Sequence, residues 1–151
     1  MNSPRHIPVM LNEVLDTLKP EAGKIYVDAT FGNGGYSEAI LKTVNCTVIA
    51  IDRDPTVRTR AEEIKKLYGN RFEFITGTFG DIAQLIKQPV DGVVFDIGIG
   101  GLYYQYILFY LFDLLKKGDF SLPFPYQYST TIFSSKNKKL SLLSTSQHLS
   151  Q

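Results

Sequence analysis

The chain has 151 residues, enough for one domain with a buried core, and its formal net charge of +1 carries no bulk signature of a nucleic-acid binder. A single cysteine, Cys46, excludes an intramolecular disulfide and a cysteine-rich zinc cluster. The opening Met-Asn-Ser-Pro-Arg-His has neither a hydrophobic signal segment nor an Arg-rich amphipathic pattern, which predicts a cytoplasmic protein.

Leu11, Val14, Leu15 and Leu18 recur at helical spacing and predict a helix that Lys19-Pro20 ends. Ile25 to Val27 then reads as a buried strand that closes on Asp28. A glycine-rich turn from Gly32 to Gly35 follows, and a helix is predicted to start near Ser37. Strand, glycine turn and helix in that order form the nucleotide-binding arrangement of open α/β sheets. Glycines let the backbone turn tightly and approach a ligand, and the helix start adds N–H groups and a positive dipole end.

Cys46 to Ile51 is a continuous apolar strand ending in Asp52. Asp54-Pro55 predicts a capped helix whose inner side is Val57, Ala61, Ile64 and Leu67 and whose outer side is a solvated row of Arg, Glu and Lys. Phe72 to Ile75 is a third strand, leading to a loop in which Phe79 can lie against a bound base or cap the core. Asp81 to Ile86 reads as a short helix. Val90 to Phe95 gives a fourth strand that ends in Asp96.

Alternating strands and helices predict an α/β fold, a parallel sheet with helices on both faces. Asp28, Asp52 and Asp96 then share its carboxyl edge, where ligands bind in this architecture. The carboxylates narrow the ligand. A dinucleotide pyrophosphate would not be met by a negative charge in its own turn, whereas S-adenosylmethionine carries a sulfonium and an ammonium. Asp28 therefore favours the methyl donor, while Asp52 suits a ribose diol in either class. A nicotinamide-dependent dehydrogenase domain is the competing enzyme reading, disfavoured by Asp28 and by Ser37 standing where its final glycine would be. A non-catalytic remnant is the third.

These residues together resemble the bacterial and organellar family of small-subunit ribosomal RNA cytosine-N4 methyltransferases. The resemblance rests on His6–Val14, on Asp28-Ala29-Thr30-Phe31-Gly32-Asn33-Gly34-Gly35-Tyr36-Ser37, on Ile51–Pro55 and on Phe95–Gly98, and covers about the first 99 residues. Tyr36 stands where the family usually has histidine. The likeness implies an incomplete Rossmann-like methyltransferase fold over residues 1–100. It implies S-adenosylmethionine as cofactor, with Gly34, Gly35, Tyr36, Asp52, Phe79 and Asp96 in contact with it; the residue reading adds Asp28 and Gly32. It also implies a cytidine amine of ribosomal RNA as substrate, with no metal and no membrane partner. The family's Ser-Ser-x-Gln-Leu-Asp and Arg-Gly-Phe-Ser-Phe elements, which follow the fourth strand, are absent.

Residues 101–151 differ in composition. They contain no Ala, Val, Glu or Arg and hold 11 of the chain's 19 Phe and Tyr. Such a segment is what an A/T-rich gene yields when read out of frame. It predicts a poorly ordered tail, aromatic from Tyr103 to Leu115 and then polar, whose aromatic run is the apolar material available to cover the sheet edge at the fourth strand.

Overall fold

The buried run Val48–Ile51 explains the architecture, because a strand apolar on both sides needs cover on both faces. The computed structural model describes residues 11–96 and two strands at 130–134 and 139–143. In chain order the helices are α1 (Leu11–Leu18), α2 (Gly35–Thr43), α3 (Arg58–Tyr68) and α4 (Ile82–Leu85). The strands are β1 (Ile25–Asp28), β2 (Thr47–Asp52), β3 (Phe72–Thr76), β4 (Gly92–Asp96), β5 (Thr130–Ser134) and β6 (Lys139–Leu143).

The strand order is β3-β2-β1-β4-β5-β6. β1 to β4 run parallel, with Val27 beside Ile49 on one side and Val93 on the other. Alternate residues build two cores. Tyr26, Val48, Ala50 and Val94 pack with Val14 and Leu18 of α1, Ile40 and Leu41 of α2, and Ala61 and Ile64 of α3. Val27, Ile49, Ile51, Val93 and Phe95 pack with Ile82 of α4 and with Ile86 and Val90 beyond it. Three helices therefore cover one face and the shorter α4 covers the other, as an α/β sheet requires.

The chain leaves β1 towards β2 and β3, then returns past β1 to lay down β4 on its far side. That reversal makes the tips of β1 and β4 the topological switch point, the usual ligand position in open α/β sheets.

Local chemistry accounts for most element ends. Asp54 accepts the Thr56 N–H at 2.9 Å with Pro55 behind it, the expected cap, although a 3-10 turn at Pro55–Val57 precedes α3. Gly34, in the left-handed region at φ 72°, starts α2 at Gly35, two residues before the expected Ser37. The inner row of α3 differs from expectation at its end. Leu67 is 68% exposed, and Tyr68 packs in its place, because the next inward position after Ile64 falls four residues on.

Two strands lie within residues 101–151. β5 pairs antiparallel with β4, setting Ile132 beside Val94, and β6 pairs antiparallel with β5. The neighbour of β4 is thus drawn from residues 130–134. The Tyr103–Leu115 run, assigned that place from the sequence, lies outside the described residues.

The two left-handed glycines of the turn differ in what a side chain would meet. A Cβ on Gly34 would come within 2.6 Å of Ile64 and 2.7 Å of Phe31, whereas one on Gly32, at φ 50°, would meet nothing within 4 Å. Gly34→Ala should therefore cost about 2–5 kcal/mol, backbone strain plus overpacking, while Gly32→Ala should cost only the strain, about 1–2 kcal/mol. Urea unfolding of the two variants checks this; equal losses would show that the space around Gly34 does not matter.

Candidate functional site

Parallel pairing brings Asp28, Asp52 and Asp96 to one edge, and the backbone around each decides what its carboxylate can do. Asp28 has no exposed surface. Its Oδ1 accepts the Thr30 N–H at 3.3 Å, and its Oδ2 accepts the Ser37 N–H at 3.2 Å and the Ser37 hydroxyl at 2.7 Å. The carboxylate fastens the tip of β1 to the first turn of α2 from beneath, and its donors, Thr30 and Ser37, flank the glycine turn. Burial lifts its carboxyl to about 6, against the three hydrogen bonds that lower it, with Asp52 adding a smaller upward push.

Asp52 is half-buried at the tip of β2. Its Oδ2 accepts the Gly32 N–H at 2.7 Å and its Oδ1 accepts the Asp54 N–H at 2.9 Å. A carboxylate offers about four acceptor positions, so each oxygen keeps capacity for another donor. The Phe31 N–H also bonds the Ile51 carbonyl at 3.0 Å, so the start of the glycine turn is held against β2 at two successive residues.

Asp96 is exposed at the tip of β4. Its N–H donates to the Thr30 hydroxyl at 2.7 Å, and its Oδ2 lies 3.4 Å from the Tyr36 hydroxyl. Tyr36 is only 4% exposed, its ring belonging to the core under α1, α2 and α3, and its hydroxyl points towards Asp96. Phe79 lies in a 3-10 turn at Phe79–Asp81, half-buried and edge-on to Phe95 with centroids 6.4 Å apart. Of its two sequence readings the core-capping one is realised on that face. Gly35 opens α2, and Gly34 turns its α-carbon to the core, so Gly32 is the glycine whose missing side chain leaves open space.

The structure thus brings Gly32, Asp52, Tyr36 and Asp96 to one edge and places Asp28 and Gly34 behind it. Two participants were missed. Thr30 ties the tip of β1 to β4, and Ser37 ties it to α2. A hydroxyl on each side of a glycine turn that follows a terminal Asp is the signal that could have found them. No group of three or more His, Cys, Asp or Glu side chains able to hold a metal ion occurs among the described residues. Among the same residues no helix is long and apolar enough to cross a membrane.

Because folded Asp28 holds its proton up to about pH 6 rather than the ordinary 3.8, its contribution to stability is full below 3.8 and is lost as pH rises through about 6. The loss is of the order of 3 kcal/mol. Ser37→Ala removes the shortest of the bonds to the ionised form and should push the carboxyl higher, carrying the loss to higher pH. Carboxyl-carbon NMR titration reads both values, and an Asp28 that titrates below 4 would refute the burial argument.

The MraW methylase family matches residues 3–106. A protein of Rickettsia massiliae named ribosomal RNA small subunit methyltransferase H is 52% identical over 98 residues, which are 64% of this chain and 32% of that protein. Its counterpart in Rickettsia canadensis is 54% identical over the same shares. The chain therefore spans about a third of the length of these relatives. Among solved structures, an rRNA methylase from Streptococcus thermophilus aligns with a TM-score of 0.53 at 18% identity, over 76% of this chain and 63% of that one. A putative methyltransferase from Streptococcus mutans, in complex with SAH, aligns at 0.54 and 18% identity, over 77% and 67%. At those identities the structures speak for the Rossmann-like methyltransferase fold, and the family assignment comes from the sequence match across more than half of the chain. This chain belongs to the MraW methylase family.

Proposed function

We propose that residues 11–96 form the donor-binding half of an S-adenosylmethionine-dependent methyltransferase acting on small-subunit ribosomal RNA in the cytoplasm. The observation that carries the proposal is Asp52. One carboxylate at the tip of β2 anchors the glycine turn through Gly32 and still has acceptor positions to offer a vicinal diol. The space in front of Gly32 and the switch point between β1 and β4 fit an adenosyl ligand laid across the strand tips.

In this reading Asp52 receives the two ribose hydroxyls, Gly32 and Gly35 let the ligand approach the backbone, and the exposed edge of Phe79 borders the base. Tyr36 orients Asp96 at the tip of β4. Bound there, the cofactor supplies an electrophilic methyl group on a sulfonium. The acceptor, by likeness to the relatives named above, is a cytidine N4 amine of ribosomal RNA. Transfer to an amine needs that amine held in line and its proton received. The family elements that follow the fourth strand are replaced here by Gly100-Gly101-Leu102-Tyr103-Tyr104, so donor binding is the part of the reaction this chain supports.

Isothermal titration of the full chain with S-adenosylmethionine and with NAD tests the reading. Binding of the first alone is expected. Asp52→Ala should weaken it about tenfold or more, the loss of a charged hydrogen-bond acceptor being roughly 1.5–3 kcal/mol. Unchanged affinity in that variant would put the site elsewhere, and preferential binding of NAD would favour the dehydrogenase reading.

A further inference from the structure

Arg60 belongs to the row on α3 that the sequence reads as solvated, yet its side chain is only 19% exposed. Its guanidinium reaches two elements far away in sequence. Nε donates to the Asn33 carbonyl at 3.2 Å, inside the glycine turn, and Nη2 pairs with Glu38 in the first turn of α2, itself 12% exposed. Nη1 faces the other way, to Glu63 at 2.9 Å, a partner that is 56% exposed.

Asn33 lies between the two left-handed glycines, so fixing the turn around it costs more conformational entropy than fixing residues that carry a Cβ. Other bonds that hold this stretch run from Gly32 N–H to Asp52, from Gly34 N–H to the Phe31 carbonyl at 2.7 Å, and from Glu38 N–H to the Gly34 carbonyl at 2.9 Å. The carbonyl at the apex, that of Asn33, is taken by Arg60. A planar fork with donors at fixed angles can hold a carbonyl and a carboxylate at once, which the single ammonium of a lysine cannot do in the same geometry.

We propose that Arg60 is a positioning residue: it clamps the glycine turn to α2 and α3, holding the turn in its ligand-ready shape before the adenosyl ligand arrives. The ligand side of this inference rests on the adenosylmethionine reading given above. Without the clamp, binding must order the turn, and affinity falls by that amount. Glu63 touches the same guanidinium but not the turn, which makes it the matched control.

The test compares the full-length chain with Arg60→Lys and Glu63→Ala by hydrogen–deuterium exchange over residues 31–38 and by titration with S-adenosylmethionine. Arg60→Ala is added where it folds. Arg60→Lys is expected to speed exchange in that segment by about tenfold, with exchange in β2 unchanged, and to weaken binding by about 5- to 20-fold. Glu63→Ala should keep both within twofold. Wild-type exchange across residues 31–38 in Arg60→Lys overturns the clamp, as does a loosened turn that binds as tightly as before, or an equal loss in Glu63→Ala. Failure of the unsubstituted chain to bind S-adenosylmethionine would instead defeat the adenosylmethionine reading; the exchange result, which needs no ligand, then still decides whether Arg60 orders the turn.

Discussion

A carboxylate removed from water at the end of the central strand is the constraint on which the site depends. Burying an ionisable group is costly unless donors surround it, and Asp28 is met by the Thr30 amide and by the amide and hydroxyl of Ser37. Those donors lie on opposite sides of the glycine turn. The requirement to satisfy Asp28 thus fixes how far the chain can travel between β1 and α2, and the glycines supply the backbone angles that make the short path feasible. The carboxyl pushed up to about 6 is the trace of this compromise: the hydrogen bonds offset much of the burial, and not all of it.

Around that point the strand tips are cross-linked rather than left as separate loops. Asp52 joins β2 to the turn through Gly32, Thr30 joins β1 to β4 through the Asp96 amide, and the Gly77 N–H joins the chain beyond β3 to the Asp52 carbonyl at 3.0 Å. Each link uses a backbone N–H that the strand ladder does not pair. The carboxyl edge is thereby tied together from β3 to β4. At the β3 edge, Lys65 donates to the Phe72 carbonyl at 2.6 Å and Arg58 to the Thr76 hydroxyl at 3.0 Å. Charged side chains there lie across a strand end that would otherwise invite another chain.

The family match ends at residue 106, and the first strand described beyond it runs antiparallel to β4. β4 has a parallel neighbour in β1 and an antiparallel one in β5, whose sequence Thr-Thr-Ile-Phe-Ser is rich in β-branched and aromatic residues. β6 alternates Leu140, Ser141 and Leu142, the period of a strand. The composition of residues 101–151 as a whole masked these two short signals. A hairpin can be specified by a few residues while the segment around it has the make-up of a tail.

What the sequence by itself determined was everything written in local periodicity or in a strand's last residue. The helix at Leu11–Leu18, the Asp54 cap, the alternation of strands and helices, and three carboxylates on one edge all follow from spacing along the chain, because parallel pairing turns a terminal residue into an edge residue. What only the tertiary structure decided was direction and burial. Asp28 and Asp52 end strands in the same way, yet one is sealed under the turn and the other is half-exposed beside it. Gly32 and Gly34 are both left-handed, yet one faces open space and the other Ile64 and Phe31. Arg60 stands among charges of a solvated row, yet its guanidinium is drawn inward by a carbonyl 27 residues away. Such contacts join segments that share no sequence pattern, and their energies depend on distances that exist only once the sheet has brought those segments together.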